Sequence, residues 1–97
     1  MRYYSRLEIV ELLEIEADFL EELEQEEIIQ RDAPPEAAGE FSGRMLERVR
    51  VASNLVHDLE VNLPGAAIII RLREEISGMQ HQIEDLLKHT RGRFTER

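Results

Sequence analysis

Ala17-Asp18-Phe19-Leu20-Glu21-Glu22-Leu23-Glu24-Gln25-Glu26-Glu27 alternates apolar and acidic residues at helical spacing. Wound at about 100° per residue, it puts Phe19, Leu20 and Leu23 on one side of a helix. Asp18, Glu21, Glu22 and Gln25 fall on the other side, with Glu24 near its edge. One side needs a core, and the other offers carboxylates and an amide. Ile28-Ile29 follows as a short, strand-like apolar plug.

Upstream, Ser5-Arg6-Leu7-Glu8 has the spacing of a capping box, in which the Ser5 hydroxyl accepts from the Glu8 amide and Glu8 reaches back. Leu7, Ile9, Val10, Leu12 and Leu13 then supply an apolar stripe, which predicts a first helix over about residues 6–14. Glu14-Ile15-Glu16 is a tight joint. Two short helices so joined form a helix-turn-helix candidate, although many small helical domains share that spacing.

Downstream, residues 30–41 hold Pro34-Pro35 and Gly39 without apolar periodicity, and are expected to form a loop or small wing. Ser42 can cap a third helix whose core face is Met45, Leu46, Val49, Ala52, Val56 and Leu59. Glu60 to Gly65 breaks it, and Pro64 suits the first turn of a fourth helix. That helix is expected to run to about His89, a length of roughly 39 Å. Along it Ile69, Leu72, Ile76, Met79, Ile83 and Leu86 recur at alternating spacings of three and four, the pattern of a coiled-coil seam. The remaining chain can cover only the start of so long a helix. A second copy of the chain is the simplest partner for the rest, and folding back as ordinary core is the alternative. Gly78 costs about 1 kcal/mol relative to Ala at mid-helix. The expected division is a helix-turn-helix domain at 1–63 and a dimerisation arm at 64–97, frayed from Arg91. The fold class is all-α.

With 97 residues, 42% apolar but only 5% aromatic, the core must be thin and rich in Leu, Ile and Val. The formal charge is −9, and it is unevenly placed. Residues 1–40 hold 13 acids and 3 bases, whereas residues 41–97 hold 8 acids and 9 bases. This opposes a stand-alone nucleic-acid binder and suits either plain solvation or a basic partner. The absence of cysteine removes disulfides and thiolate metal sites. No apolar run approaches the roughly 18 residues of a membrane helix, and no signal-peptide core follows Met1-Arg2-Tyr3-Tyr4. A cytoplasmic protein is the expectation.

Chemistry finds little purchase. An exposed carboxylate face lacks the cleft that separates the pKa values of an acid/base pair. His57, His81 and His89 lie 24 and 8 residues apart, which gives no zinc-ligand pair on a helix. The serines sit in no nucleophile elbow, and no phosphate loop exists. Neither an enzyme, a metal nor a cofactor is expected. Arg44 and Arg48 share a face and can pair with acids of the second helix or of another subunit, phosphate contact being the rival reading.

The order of helix-turn-helix, wing, helix and long arm resembles the MerR-type winged-helix architecture. More narrowly, the chain resembles the chaperone-modulator (CbpM-type) proteins. The likeness is carried by Leu12-Leu13-Glu14-Ile15-Glu16, Leu20, Leu23, Glu27-Ile28-Ile29 and Phe41-Ser42. Most specific is Leu55-Val56-His57-Asp58-Leu59-Glu60-Val61-Asn62-Leu63-Pro64-Gly65-Ala66-Ala67-Ile68. It spans about residues 5–87. The departures are as informative. Where DNA-binding MerR-type regulators have an Arg-Tyr-Tyr cluster, this chain has Glu21-Glu22-Leu23, and their wing arginine falls near Gly39 or Glu40. Seven acids and no base lie between Glu16 and Glu27, which repels a phosphate backbone.

The resemblance implies a non-catalytic homodimer with an antiparallel arm. It further implies binding to the J-domain of a DnaJ/CbpA-like co-chaperone, in competition with Hsp70 (DnaK). The residues expected to meet that partner are Asp18, Glu21, Glu22, Glu24 and Gln25, and those expected at the dimer seam are Ile69, Leu72, Ile76, Met79, Ile83 and Leu86. A heat-shock-type MerR regulator that binds DNA is the alternative, and a scaffold or antitoxin-like partner is a third.

Overall fold

The computed structural model describes residues 1–95. In chain order it contains β1 (Tyr3–Tyr4), α1 (Arg6–Leu13), α2 (Ala17–Gln25), β2 (Phe41–Ser42), α3 (Gly43–Ser53), a π-helical turn (Asn54–Asp58) and α4 (Leu63–Thr95). The chain is elongated, with extents of 59 × 36 × 20 Å and a radius of gyration of 17.4 Å. A compact chain of this length has about 13 Å. The cause is α4, whose 33 residues span about 50 Å. Everything before it, together with its first two turns, forms a small head.

The core of the head is Ile9, Leu20, Leu23, Ile29, Phe41, Met45 and Val49, closed by Ala66 and Ile70 of α4. In α1 the capping box forms as the sequence predicts: Ser5 Oγ accepts from Glu8 N at 3.1 Å, and Glu8 Oε1 accepts from Ser5 N at 3.1 Å. The apolar stripe of α1 is wider than the surface covering it. Ile9 is buried and Val10 and Leu13 half-buried, but Leu7 and Leu12 stay 67% and 56% exposed. The helix ends at Glu14 in the left-handed region, φ 53°.

In α2, Phe19, Leu20 and Leu23 are buried as the wheel requires. The helix stops at Gln25, two residues earlier than expected, because Glu27 turns left-handed at φ 58°. Ile28 and Ile29 are buried in that turn, where both amides donate to the Leu23 carbonyl. They form no strand.

The composition gave no hint of the two-stranded antiparallel ladder that fastens the wing. Tyr3 pairs with Ser42 and Tyr4 with Phe41. The Glu40 amide donates to the Tyr4 carbonyl at 2.9 Å. Gly39 is buried against β1 so closely that a Cβ there would lie 2.5 Å from both N and C of Tyr4. Asp32 ties the far side of the wing to α3, accepting from Ser42 N at 2.7 Å and from the Ser42 hydroxyl.

Ser42 caps α3, accepting from Met45 N at 3.4 Å. Its core face is Met45, Val49, Val51 and Ala52. The following π-helical turn, in which Leu59 N donates to Asn54 O at 3.2 Å, shifts the register by about one position. Leu59, expected in the core, is consequently 67% exposed. Asn62 starts α4 by accepting from Gly65 N at 2.8 Å, with Pro64 in the first turn. The helix continues past the expected end near His89 to Thr95, and Glu96 and Arg97 lie outside the described residues.

Candidate partner-docking surface

Because Phe19, Leu20 and Leu23 anchor α2, its opposite side is forced outward. Asp18, Glu21, Glu22 and Gln25 are all exposed. Asp18 lies in the first turn, where the helix dipole favours a carboxylate. Among the described residues no cation lies within ion-pair range of Asp18, Glu21 or Glu22. This face contains no exposed large apolar residue.

Glu24 differs from the others. It is half-buried and joined to Arg6 of α1 by a hydrogen-bonded ion pair. The same guanidinium lies 3.5 Å from Glu40 Oε2 and 5.7 Å from the Phe41 ring centroid, and Arg31 reaches Glu40 Oε2 at 3.3 Å. Arg6 therefore links α1, α2 and the wing. Glu24 belongs to that structural clasp, and Asp18, Glu21, Glu22 and Gln25 make up the open face.

Arg44 and Arg48 find their acid on α4 and not on α2. Both meet Glu74 of α4: Arg48 Nε donates to Oε2 at 2.8 Å, Arg48 Nη2 to Oε1 at 2.6 Å, and Arg44 Nη2 to Oε1 at 3.1 Å. Arg48 Nη1 also donates to the Ile28 carbonyl at 3.0 Å, which satisfies the turn after α2. The Arg48 hydrogen bonds, aided by Arg44, hold the Glu74 carboxyl down to about 2. These arginines fix the angle between head and α4. Phosphate contact is the weaker reading of them.

The ring of His57 packs on Phe19 with centroids 4.7 Å apart, and its Nδ1 lies 3.3 Å from Ser53 Oγ. His81 and His89 are exposed on α4. Among the described residues no three His, Cys, Asp or Glu side chains are grouped so as to hold a metal ion.

Along α4, Ile69 is half-buried beside the head, and Leu72, Ile76, Met79, Ile83 and Leu86 are 50–65% exposed. The face used by the head is a different one, carrying Ala66, Ile70 and Glu74. The two stripes do not compete. Ile68 and Leu87 widen the exposed one at either end. The exposure of Leu7 and Leu12 is signalled in the sequence only by the excess of apolar positions over one buried arc in so short a helix, whereas that of Leu59 comes from the π-helical turn, which has no such signal.

No described helix is long and apolar enough to cross a membrane. No solved structure matches the chain. Curated relatives include the chaperone modulatory proteins CbpM of Coxiella burnetii strains Dugway 5J108-111, RSA 331 / Henzerling II and CbuG_Q212. Each is 23% identical over 79 residues, covering 81% of this chain and 74% of the relative. The family model described as MerR HTH family regulatory protein matches residues 5–88, which takes in both short helices, the wing, α3 and most of α4. With helices, wing and arm in that order, this chain belongs to the MerR HTH regulatory protein family.

Proposed function

We propose that this chain is a non-catalytic chaperone modulator of the CbpM type, acting in the cytoplasm on the J-domain of a DnaJ/CbpA-like co-chaperone. The observation that carries the reading is the electronegative second helix of the helix-turn-helix. Where a DNA reader needs cations, Asp18, Glu21 and Glu22 stand exposed and without counter-charge among the described residues. Supporting it is the likeness to proteins named chaperone modulatory protein CbpM. In this reading α2 faces a basic helix of the J-domain and occludes Hsp70 from it. Residues 1–63 bind the partner, and residues 64–97 pair with a second copy through the seam from Ile69 to Leu86.

Exposed ion pairs contribute only about 0.2–1 kcal/mol each, so the acidic face chiefly accelerates encounter and sets register. The affinity for the J-domain therefore falls as salt rises. The test is calorimetric titration of the purified J-domain into the protein, with Glu21→Arg/Glu22→Arg beside the native chain. The native chain binds, and the reversal variant binds roughly tenfold more weakly at low salt, a difference of about 1.4 kcal/mol. Equal binding by both proteins removes α2 from the interface.

A DNA-binding regulator is the second reading, favoured by the regulatory family itself. Its test is a mobility shift with promoter DNA at physiological salt.

A further inference from the structure

The open face of α2 carries charge and no large apolar side chain, yet hot spots of protein interfaces are desolvated apolar or aromatic anchors. Exposed charge alone gives speed and little affinity. The reading proposed above thus lacks an anchor. Exposed leucines of the acidic first forty residues are Leu7 and Leu12, both on α1. On that helix Ile9, Val10 and Leu13 turn inward. At about 100° per residue the outward arc runs Leu7, Glu11, Glu8, Leu12. Two leucines flank two carboxylates.

Beside Leu12 lies a shallow depression of about 250 Å3 lined by Arg2, Glu8, Glu11 and Leu12. The Glu8 carboxyl is held below its ordinary value, first by the Ser5 backbone amide and then by the Arg2 guanidinium. From Leu12 the exposed surface continues through Glu14 and Glu16 of the joint to Asp18 at the start of α2. Half-buried Leu13 and Ile15 alternate with these exposed carboxylates across the joint.

We propose that the outward face of α1, with Leu7 and Leu12 as anchors and Glu8 and Glu11 between them, docks a cationic amphipathic helix of the partner protein. The partner helix sets an apolar side chain against the leucines. Its lysine or arginine lies beside the depression, with the methylene stem on Leu12 and the head on Glu11, because Glu8 Oε2 already pairs with Arg2 Nη2 at 3.1 Å. Charge complementarity selects this occupant: the first forty residues carry 13 acids against 3 bases, so an acidic or neutral helix is not attracted. Leu7 and Leu12 lie outside the α4 seam, so a second copy of the chain has its own apolar face elsewhere.

This inference rests on the J-domain reading, and one experiment separates the two. The purified J-domain is titrated into the native chain, Leu7→Ser/Leu12→Ser and Glu21→Arg/Glu22→Arg, with solution mass and thermal midpoint measured for each. The leucine variant keeps the native mass and midpoint and loses at least about tenfold in affinity at every salt concentration. Its salt dependence stays native, whereas that of the charge variant falls. Native affinity in the leucine variant overturns the α1 site and leaves the J-domain reading standing. A changed mass overturns it too, assigning the leucines to contact between copies. No binding by the native chain overturns both.

Discussion

Arg48 on α3 grips Glu74 on α4 through two parallel hydrogen bonds, Nε to Oε2 at 2.8 Å and Nη2 to Oε1 at 2.6 Å. The residues lie 26 apart in sequence, and their pairing sets where the long helix leaves the head. Arg48 is only 20% exposed and Glu74 33%, so the pair is better shielded than a surface ion pair.

The carboxyl of Glu74 is held to about 2, below its ordinary 4.5. A depressed folded-state value means that stability is present above about 4.5 and is lost as pH falls toward 2. Glu74→Gln is expected to lower unfolding free energy at pH 7 by about 1–2 kcal/mol, allowing for solvent screening. Urea unfolding across pH checks this. The gap between native and variant proteins narrows from pH 4.5 downward and closes near pH 2.

Three glutamates, Glu14, Glu27 and Glu60, hold left-handed backbone at φ 53°, 58° and 56°. Such a conformation costs a side-chain-bearing residue about 1–2 kcal/mol, part of which glycine gives back as unfolded-chain entropy. Glu60→Gly, remote from α1 and α2 in sequence, is expected to stabilise the fold by about 0.5–1 kcal/mol. Chemical denaturation measures it, and J-domain affinity should not change.

Two glycines should respond in opposite directions. Gly39→Ala drives a Cβ into the Tyr4 backbone at 2.5 Å, where no flexible atom can give way. It is expected to cost about 1–3 kcal/mol and release the wing. Gly78→Ala meets nothing within 4 Å on α4 and is expected to raise helix stability by about 1 kcal/mol. Thermal melts followed by circular dichroism distinguish them.

Much of this was legible in the sequence where signals are local. The Ser5 and Ser42 caps, the buried trio of α2 and the separate stripe along α4 each follow from spacing within a few residues. Non-local features were not. A two-residue ladder has no periodicity, and β1 meets β2 across nearly forty residues. The Arg48 and Arg44 clasp was visible as a basic face, but its acid lies on a helix whose position depends on the register after the π-helical turn. In α1, five apolar positions in eight residues promised more burial than one arc can provide. On α2, the pairing of Glu24 with Arg6, eighteen residues earlier, leaves no periodic mark that separates Glu24 from the outward acids.

The proposed pairing of α4 predicts that Ile76→Asp/Met79→Asp yields a species near 11.3 kDa in sedimentation, against twice that for the native chain. Both side chains are exposed, so the head keeps its fold. Native dimerisation in the variant places the contact elsewhere.

Competition at physiological ionic strength decides whether this helix-turn-helix presents its open face to protein or to nucleic acid. Labelled J-domain and labelled promoter duplex are offered together to the native protein, and each bound fraction is measured by fluorescence anisotropy. Saturable binding of the J-domain and none of the duplex is the expected result. Sequence-selective capture of the duplex, with the J-domain left free, contradicts it.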